Sequence, residues 1–98
     1  MAINKLVRDK VKALPGEVVR VLPLPVHRAM LVNKIYEEAS EIARTPYDLQ
    51  EYADVLACLI DTATLNGIAF RDVMEAEVNK RILKGGFLKG RFITARKK

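Results

Sequence analysis

The chain has 98 residues, half of them hydrophobic, and a formal net charge of +5. This length predicts a single domain over residues 1–98 with a core of modest size. No apolar stretch approaches the roughly 20 residues that span a bilayer, the charged N-terminus lacks the apolar segment of a signal peptide, and Cys58 has no second cysteine to pair with. We therefore expect a cytoplasmic protein with no disulfide and no membrane partner.

The positive charge is concentrated at the two ends of the chain, and the middle is acidic. The basic residues are Lys5, Arg8, Lys10 and Lys12 at one end and Lys80, Arg81, Lys84, Lys89, Arg91, Arg96, Lys97 and Lys98 at the other. An acidic centre between basic ends suits a metal site that receives an anionic substrate such as a polyphosphate. It also fits a solvated surface with a weak affinity for nucleic acid.

The N-terminal quarter predicts irregular and extended structure before the first helix. Residues 1–14 fit a helical turn or an irregular arm, and Pro15-Gly16 is a turn signal. The β-branched residues of segment 17–22 predict an extended conformation. A first long helix is expected over residues 25–44, because Pro25 is tolerated in an early helical position.

Two further helices are expected. Thr45 is predicted to cap the second helix, with Pro46 in its first position and Asp48 in place of the usual Glu of a capping box. This helix should run to about Asn66, where Gly67 supplies a left-handed residue. The short loop predicts an antiparallel hairpin. A third helix is expected over residues 70–83, followed by an extended or loosely ordered tail.

The second helix also predicts self-association. Its apolar residues cover more than one face and comprise Val55, Leu56, Ala57, Cys58, Leu59, Ile60, Ala63 and Leu65. A helix that is apolar nearly all round must be buried on all sides. Three helices in a small chain do not provide that burial, so we expect an all-α homodimer or homotetramer that forms a bundle of at least four helices, with short extended termini.

Four acidic residues form two pairs with helical spacing. Glu38 and Glu41 lie near the end of the first predicted helix, and Glu51 and Asp54 lie near the start of the second. A spacing of three residues places both carboxylates of a pair on one face, and an antiparallel hairpin brings the pairs side by side. Converging carboxylates suit a hard cation such as Mg²⁺ or Mn²⁺. The alternative is a solvated acidic face.

These residues also resemble a known family. Glu37-Glu38-x-x-Glu41 followed by Glu51-x-x-Asp54 resembles the EExxE…ExxD pattern of the MazG-like all-α nucleoside triphosphate pyrophosphohydrolases. The opening Lys5-Leu-Val-Arg-Asp-Lys10 and the segment Glu51-Tyr-Ala-Asp-Val-Leu56 are similar to blocks of the phosphoribosyl-ATP pyrophosphohydrolase-like branch. Lys84-Gly85-Gly86-Phe87 resembles that branch's Arg-Gly-Gly-Phe ending, with Lys in place of Arg.

The resemblance implies an all-α homo-oligomer that cleaves a nucleotide between its α- and β-phosphates in an Mg²⁺-dependent reaction. By position it implies Glu38, Glu41, Glu51 and Asp54 as metal ligands. Chemistry then suggests Glu38 or Glu41 as the carboxylate that orients or deprotonates water, and Arg8, Lys80 and Lys84 as groups that bind phosphate. Lysine lacks the planar fork of arginine, so Lys84 departs from the family pattern. The alternatives are a non-catalytic helical oligomer and a basic nucleic-acid-binding module, although no nucleic-acid reading motif is present.

Overall fold

A computed structural model describes residues 5–97, where the chain is all-α and contains no strand. Its helices are α1 (Leu24–Arg44), α2 (Leu49–Leu65) and α3 (Phe70–Lys84). The all-α prediction is therefore confirmed. Residues 1–4 and Lys98 lie outside the described range. Lys98 is one of the basic residues named above for the C-terminal end. The chain divides into two compact units, Met1–Ile68 and Ala69–Lys98.

Helix α1 begins one residue before the predicted start. Pro25 lies in its first turn, where the missing N–H needs no partner, and the oxygen of Pro23 accepts a hydrogen bond from the backbone N–H of His27 at 2.9 Å. At the other end, Thr45 donates twice to the oxygen of Glu41, from its N–H at 2.9 Å and from its hydroxyl at 3.0 Å. Thr45 thus closes α1.

The prediction that Thr45 caps α2 and that Pro46 is its first residue is wrong. Thr45 is committed to the last turn of α1, and its oxygen accepts from the N–H of Asp48 at 3.1 Å, which closes a turn over residues 45–48. Asp48 is the N-cap, because its Oδ1 accepts from the N–H of Gln50 at 2.9 Å. The hydroxyl of Tyr52 donates to the oxygen of Pro46 at 2.9 Å and secures the same turn.

Helix α2 ends as predicted, in a glycine-dependent motif. The N–H of Ile68 donates to the oxygen of Ala63 at 2.9 Å, and the N–H of Gly67 donates to that of Thr64 at 3.1 Å. This pair of bonds is a Schellman motif, which requires a left-handed residue after the cap. Gly67 supplies it with φ of +75°.

Helices α1 and α2 form the predicted antiparallel hairpin. Arg28 near the start of α1 contacts the last residue of α2, while the end of α1 leads through the short turn into the start of α2. Leu31 and Cys58 are the most buried hydrophobic residues, at 5% and 8% exposure. In the single chain, however, Leu56 and Leu59 stay 45% and 43% exposed. Burial of α2 on all sides therefore requires a partner, and the oligomer stays a prediction.

The second unit consists of α3 and the residues that follow it. The helix ends at Lys84, one residue later than predicted, and Gly85 follows it with φ of +79°. On its surface Arg81 pairs with Glu77 at 2.6 Å, one turn apart. No single helix among residues 5–97 is long and apolar enough to cross a membrane. Helices α2 and α3, taken together as a bent pair, have the length and apolar composition of a membrane span.

Candidate metal centre

Three of the four predicted carboxylates converge on the hairpin. Glu38 of α1 and Glu51 and Asp54 of α2 each present an oxygen, and these oxygens all lie within 4.8 Å of one another. The short turn between the helices produces this convergence, because it places the end of α1 beside the start of α2. All three residues are partly buried, so water screens their mutual repulsion less than it would at an open surface.

Glu38 is balanced by a lysine on its own helix. Lys34 lies one turn before it, and the ammonium nitrogen is 3.1 Å from Oε1 of Glu38 and 3.6 Å from Oε2 of Glu37. Burial lowers the pKa of Lys34, but the hydrogen bond to Glu38 and the two negative charges outweigh this effect and raise it. The Glu38 side chain is only 13% exposed, so the pair is held close to the helix surface.

Asp54 is balanced by a residue far away in the sequence. The Nη2 atom of Arg8 donates to Oδ1 of Asp54 at 2.9 Å across 46 positions of the chain. This contact holds the N-terminal arm, residues 5–11, against the carboxylates. Arg8 therefore reaches the acidic centre, as its predicted role toward an anionic substrate requires, although here it contacts a carboxylate.

Glu51 is the member of the three without an ion-pair partner among residues 5–97. It lies in the first turn of α2, where the helix dipole favours a negative charge. Even so, partial burial raises the pKa of the Glu51 carboxyl, and the charges of Asp48, Glu41, Asp54 and Glu38 raise it further. The negative charge of the centre is thus least compensated at Glu51.

Glu41, the fourth predicted ligand, lies outside this group of three. Its Oε1 is 3.3 Å from Nη1 of Arg44, three residues later on the same helix. Its charge nevertheless reaches Glu51, whose pKa it helps to raise. Glu41 thus neighbours the centre without converging on it.

A cavity of about 400 Å³ adjoins Glu38 and Asp54. The N-terminal arm forms one wall, and the opposite wall comes from α1 and α2 and includes Leu31, Lys34 and Cys58. Burial raises the pKa of the Cys58 thiol, Glu38 adds to the rise, and Lys34 and Arg8 oppose it. The cavity therefore combines apolar surface with three cations, Lys5, Arg8 and Lys34, and with four carboxylates, of which Glu38 and Asp54 belong to the converging group.

The sequence reasoning missed Lys34 and, more generally, the cations that balance the acidic pairs. The acidic pairs were considered alone, and no counter-ion was assigned to them. The signal was present, since Lys34 and Glu38 have the i, i+4 spacing of a helical ion pair. Arg44, three residues after Glu41, was visible in the same way.

The two other predicted phosphate-binding residues lie in the second compact unit. Lys80 and Lys84 are both on α3, four residues apart, so they share one face of that helix. Both are exposed. Of the predicted phosphate-binding residues, Arg8 is the one that lies in the same unit as the carboxylates.

No protein-family model, no curated protein and no solved structure matches this chain. The resemblance to the MazG-like enzymes therefore depends on the residues quoted above, and the activity that it implies is a proposal.

Proposed function

We propose that the protein is an Mg²⁺-dependent nucleoside triphosphate pyrophosphohydrolase, which cleaves between the α- and β-phosphates to release a nucleoside monophosphate and pyrophosphate. The observation that carries this proposal is the convergence of Glu38, Glu51 and Asp54 within 4.8 Å, next to a cavity that Arg8 and Lys34 also line. The motif resemblance adds the reaction type. The carboxylates come from two helices and lie beside a cavity that the cations Lys5, Arg8 and Lys34 also line, which supports a metal and phosphate site over a solvated acidic face.

The donor set fits the proposed metal. Glu38, Glu51 and Asp54 offer only carboxylate oxygens, which hard cations such as Mg²⁺ and Mn²⁺ prefer, and zinc usually takes histidine or cysteine ligands. The raised pKa of Glu51 fits as well, because an additional cation would offset the uncompensated charge there. These three residues would hold the ion. When bound, Mg²⁺ supplies neutralising charge to phosphate oxygens and favours the ionisation of water.

The chain's own residues have distinct proposed roles around that centre. We assign to Glu41 the task of orienting the attacking water or accepting its proton; its position beside the centre, outside the group of three, supports this role. Glu38 is the alternative for this task. Arg8 and Lys34, which with Lys5 carry the positive charge of the cavity, bind the phosphate oxygens. Lys80 and Lys84 stay proposed contacts for the outer phosphates.

The proposed enzyme is also a homo-oligomer. The exposed apolar side chains of α2 support the formation of a homodimer or homotetramer, in which a second copy covers Leu56 and Leu59. A hairpin from each of two copies would supply the four helices of a bundle.

A pyrophosphate-release assay tests the activity. A panel of ribo-, deoxyribo- and modified nucleoside triphosphates is incubated with the protein in Mg²⁺ and, separately, after exhaustive chelation. We expect a monophosphate and pyrophosphate with at least one nucleotide, and no turnover without metal. Glu51→Gln and Asp54→Asn should remove most of the activity, whereas Glu75→Gln, at an exposed glutamate on α3, should keep it. Turnover that survives chelation, or near-parental rates in both site variants, would refute the proposal.

The residues around the end of α3 support a second candidate function, the binding of single-stranded nucleic acid. Phe87 and Phe92 are 96% and 87% exposed, and they alternate with the basic residues Lys84, Lys89 and Arg91. Exposed aromatic rings and cations are the groups that bind single-stranded nucleic acid, by stacking and by phosphate contacts. A mobility shift with single-stranded RNA or DNA that weakens steeply with salt, together with no nucleotide turnover, would favour this function. Binding of Mg²⁺ and nucleotide without turnover would favour a non-catalytic oligomer.

A further inference from the structure

The N-terminal arm covers the acidic centre, but few polar contacts attach it there. Within the part of the chain that the structure describes, the bond from Arg8 to Asp54 is the one hydrogen bond that joins residues 5–22 to the helices. Residues 5–22, which include the arm, contain no helix or strand. The arm's apolar residues Val7 and Val11 stay 38% and 55% exposed, and Leu6 is half-buried, so the arm has partial apolar contact with its surroundings. The ion pair is its one polar attachment to the helices among the described residues.

We propose that this arm is an autoinhibitory strap, in which Arg8 acts as a built-in counter-cation that a metal ion must displace from Asp54. The inference rests on the metal centre of the proposed function. In the closed state Arg8 takes an oxygen of one of the three converging carboxylates. Occupation of the centre by a divalent cation releases Arg8, and the arm leaves the cavity.

The two cations of the centre are not equivalent, and this difference selects Arg8 as the mobile one. Lys34 and Glu38 lie one turn apart on the same helix, with side chains that are 21% and 13% exposed. Arg8 and Asp54 are 64% and 38% exposed, and the arm that carries Arg8 has no other polar attachment to the helices. Exposed ion pairs are weak, so a divalent ion held by three carboxylates displaces the guanidinium.

Release gives Arg8 its proposed partner. A guanidinium freed from Asp54 has its planar fork available at the mouth of the cavity, where it can bind a phosphate in two places. The strap therefore couples the two ligands: metal opens the cavity, and the polyphosphate then takes Arg8. The metal therefore binds first, and Arg8 becomes available to the nucleotide only afterwards.

Metal binding in the absence of nucleotide tests the displacement. The affinity for Mn²⁺ alone is measured by electron paramagnetic resonance for the parent, Arg8→Gln and Lys12→Gln. Lys12 is a charge of the same N-terminal region that makes no ion pair among the described residues, so its variant controls for the loss of one positive charge. We expect Arg8→Gln to bind Mn²⁺ about two- to fivefold more tightly and Lys12→Gln to match the parent. Equal affinities in the two variants would overturn the proposal.

Cys58 reports the position of the arm directly. It is buried and lines the cavity opposite the arm, so lifting the arm should speed its reaction with a disulfide reagent. Burial raises the pKa of the Cys58 thiol and the charge of Arg8 opposes that rise, so the loss of this charge alone would slow the reaction. We expect Arg8→Gln without metal to react several times faster than the parent. A rate equal to or below that of the parent would overturn the proposal.

The same assay separates arm release from a direct effect of the ion on the thiol. Saturating Mg²⁺ should accelerate labelling of the parent and change Arg8→Gln little, because its arm is already open. An equal acceleration in both proteins would show that the ion acts on the thiol itself and would refute the strap. Neither measurement uses turnover. If no nucleotide is hydrolysed, the proposed function fails, while the binding and labelling results still decide whether the arm competes with metal.

Discussion

Arg28 donates two hydrogen bonds to one backbone oxygen, that of Leu65, from Nε at 3.1 Å and from Nη2 at 3.0 Å. Leu65 is the last residue of α2, so its oxygen has no partner within the helix and carries part of the negative end of the helix dipole. Arg28 lies near the start of α1. The bonds therefore fasten the open end of the hairpin, while the turn over residues 45–48 closes the other end.

Replacing Arg28 should loosen that open end. Arg28→Gln should lower the free energy of unfolding by about 1 kcal/mol, because it removes charge-assisted hydrogen bonds at a partly exposed site. Arg28→Lys should lose less, since it keeps the charge and one donor. Urea denaturation measures both. Arg20→Gln, at an exposed arginine outside the helices, is the control, and a loss as large as that of Arg28→Gln would contradict the assignment.

Asp48 should matter to α2 through its oxygen and not through its charge. Asp48→Ala removes the N-cap and should cost about 1 kcal/mol of stability. Asp48→Asn keeps an oxygen that accepts from the N–H of Gln50 and should be at least as stable as the parent, because it also removes a negative charge near Glu51. Thermal melts followed by circular dichroism distinguish the two variants. Equal losses in both would show that the charge, not the cap, is needed.

Glu51 should destabilise the metal-free protein at neutral pH. The pKa of Glu51 is raised in the folded state, so the folded state holds this proton more tightly than the unfolded state does. The free energy of unfolding therefore falls as the pH rises through the folded pKa. Glu51→Gln should therefore be more stable than the parent at pH 7 in chelator. The difference should vanish toward pH 4, near the ordinary pKa of a glutamate, about 4.3. Glu75→Gln, at an exposed glutamate of α3, is the control for the loss of one negative charge.

The apolar surface of α2 should hold copies of the chain together. Tyr52, Leu56 and Leu59 follow one another at intervals of four and three residues, so they form one exposed stripe. A double variant, Leu56→Gln with Leu59→Gln, should shift the mass in sedimentation equilibrium toward the monomer. Tyr47→Gln, at a fully exposed tyrosine in the turn, should leave it unchanged. A parent protein that is already a folded monomer at micromolar concentration would refute the prediction.

Much of the hairpin was readable from local signals in the sequence. Pro25 near the start of α1 and Gly67 after α2 mark boundaries by backbone chemistry alone, and both signals were correct. The start of α2 was misplaced because Thr45 and Asp48 are both good capping residues. The first helix ends at residue 44 as predicted, but local propensity does not show whether the Thr45 side chain bonds to the helix before it or to the helix after it.

The site was predictable only as far as helical geometry reaches. Spacing placed Glu38, Glu51 and Asp54 on facing surfaces, and the structure brings them together. The ion pair between Arg8 and Asp54 could not be foreseen, because it depends on how an arm without periodicity lies across the helices. The spacing of three residues shows that Arg44 can pair with Glu41, but not that Glu41 stays outside the group of three, since that depends on the choice of side-chain rotamers.

The turn between α1 and α2 has a consequence for how the chain folds. Glu38 and Asp54 are only 16 positions apart, whereas Arg8 and Asp54 are separated by 46. Closing the shorter loop costs less entropy, and local helical contacts form quickly. The carboxylates should therefore meet early, while they are still unprotected by the guanidinium. Arg8 leaves the ribosome first yet should dock last, so early intermediates of folding should be more open to cations than the finished protein.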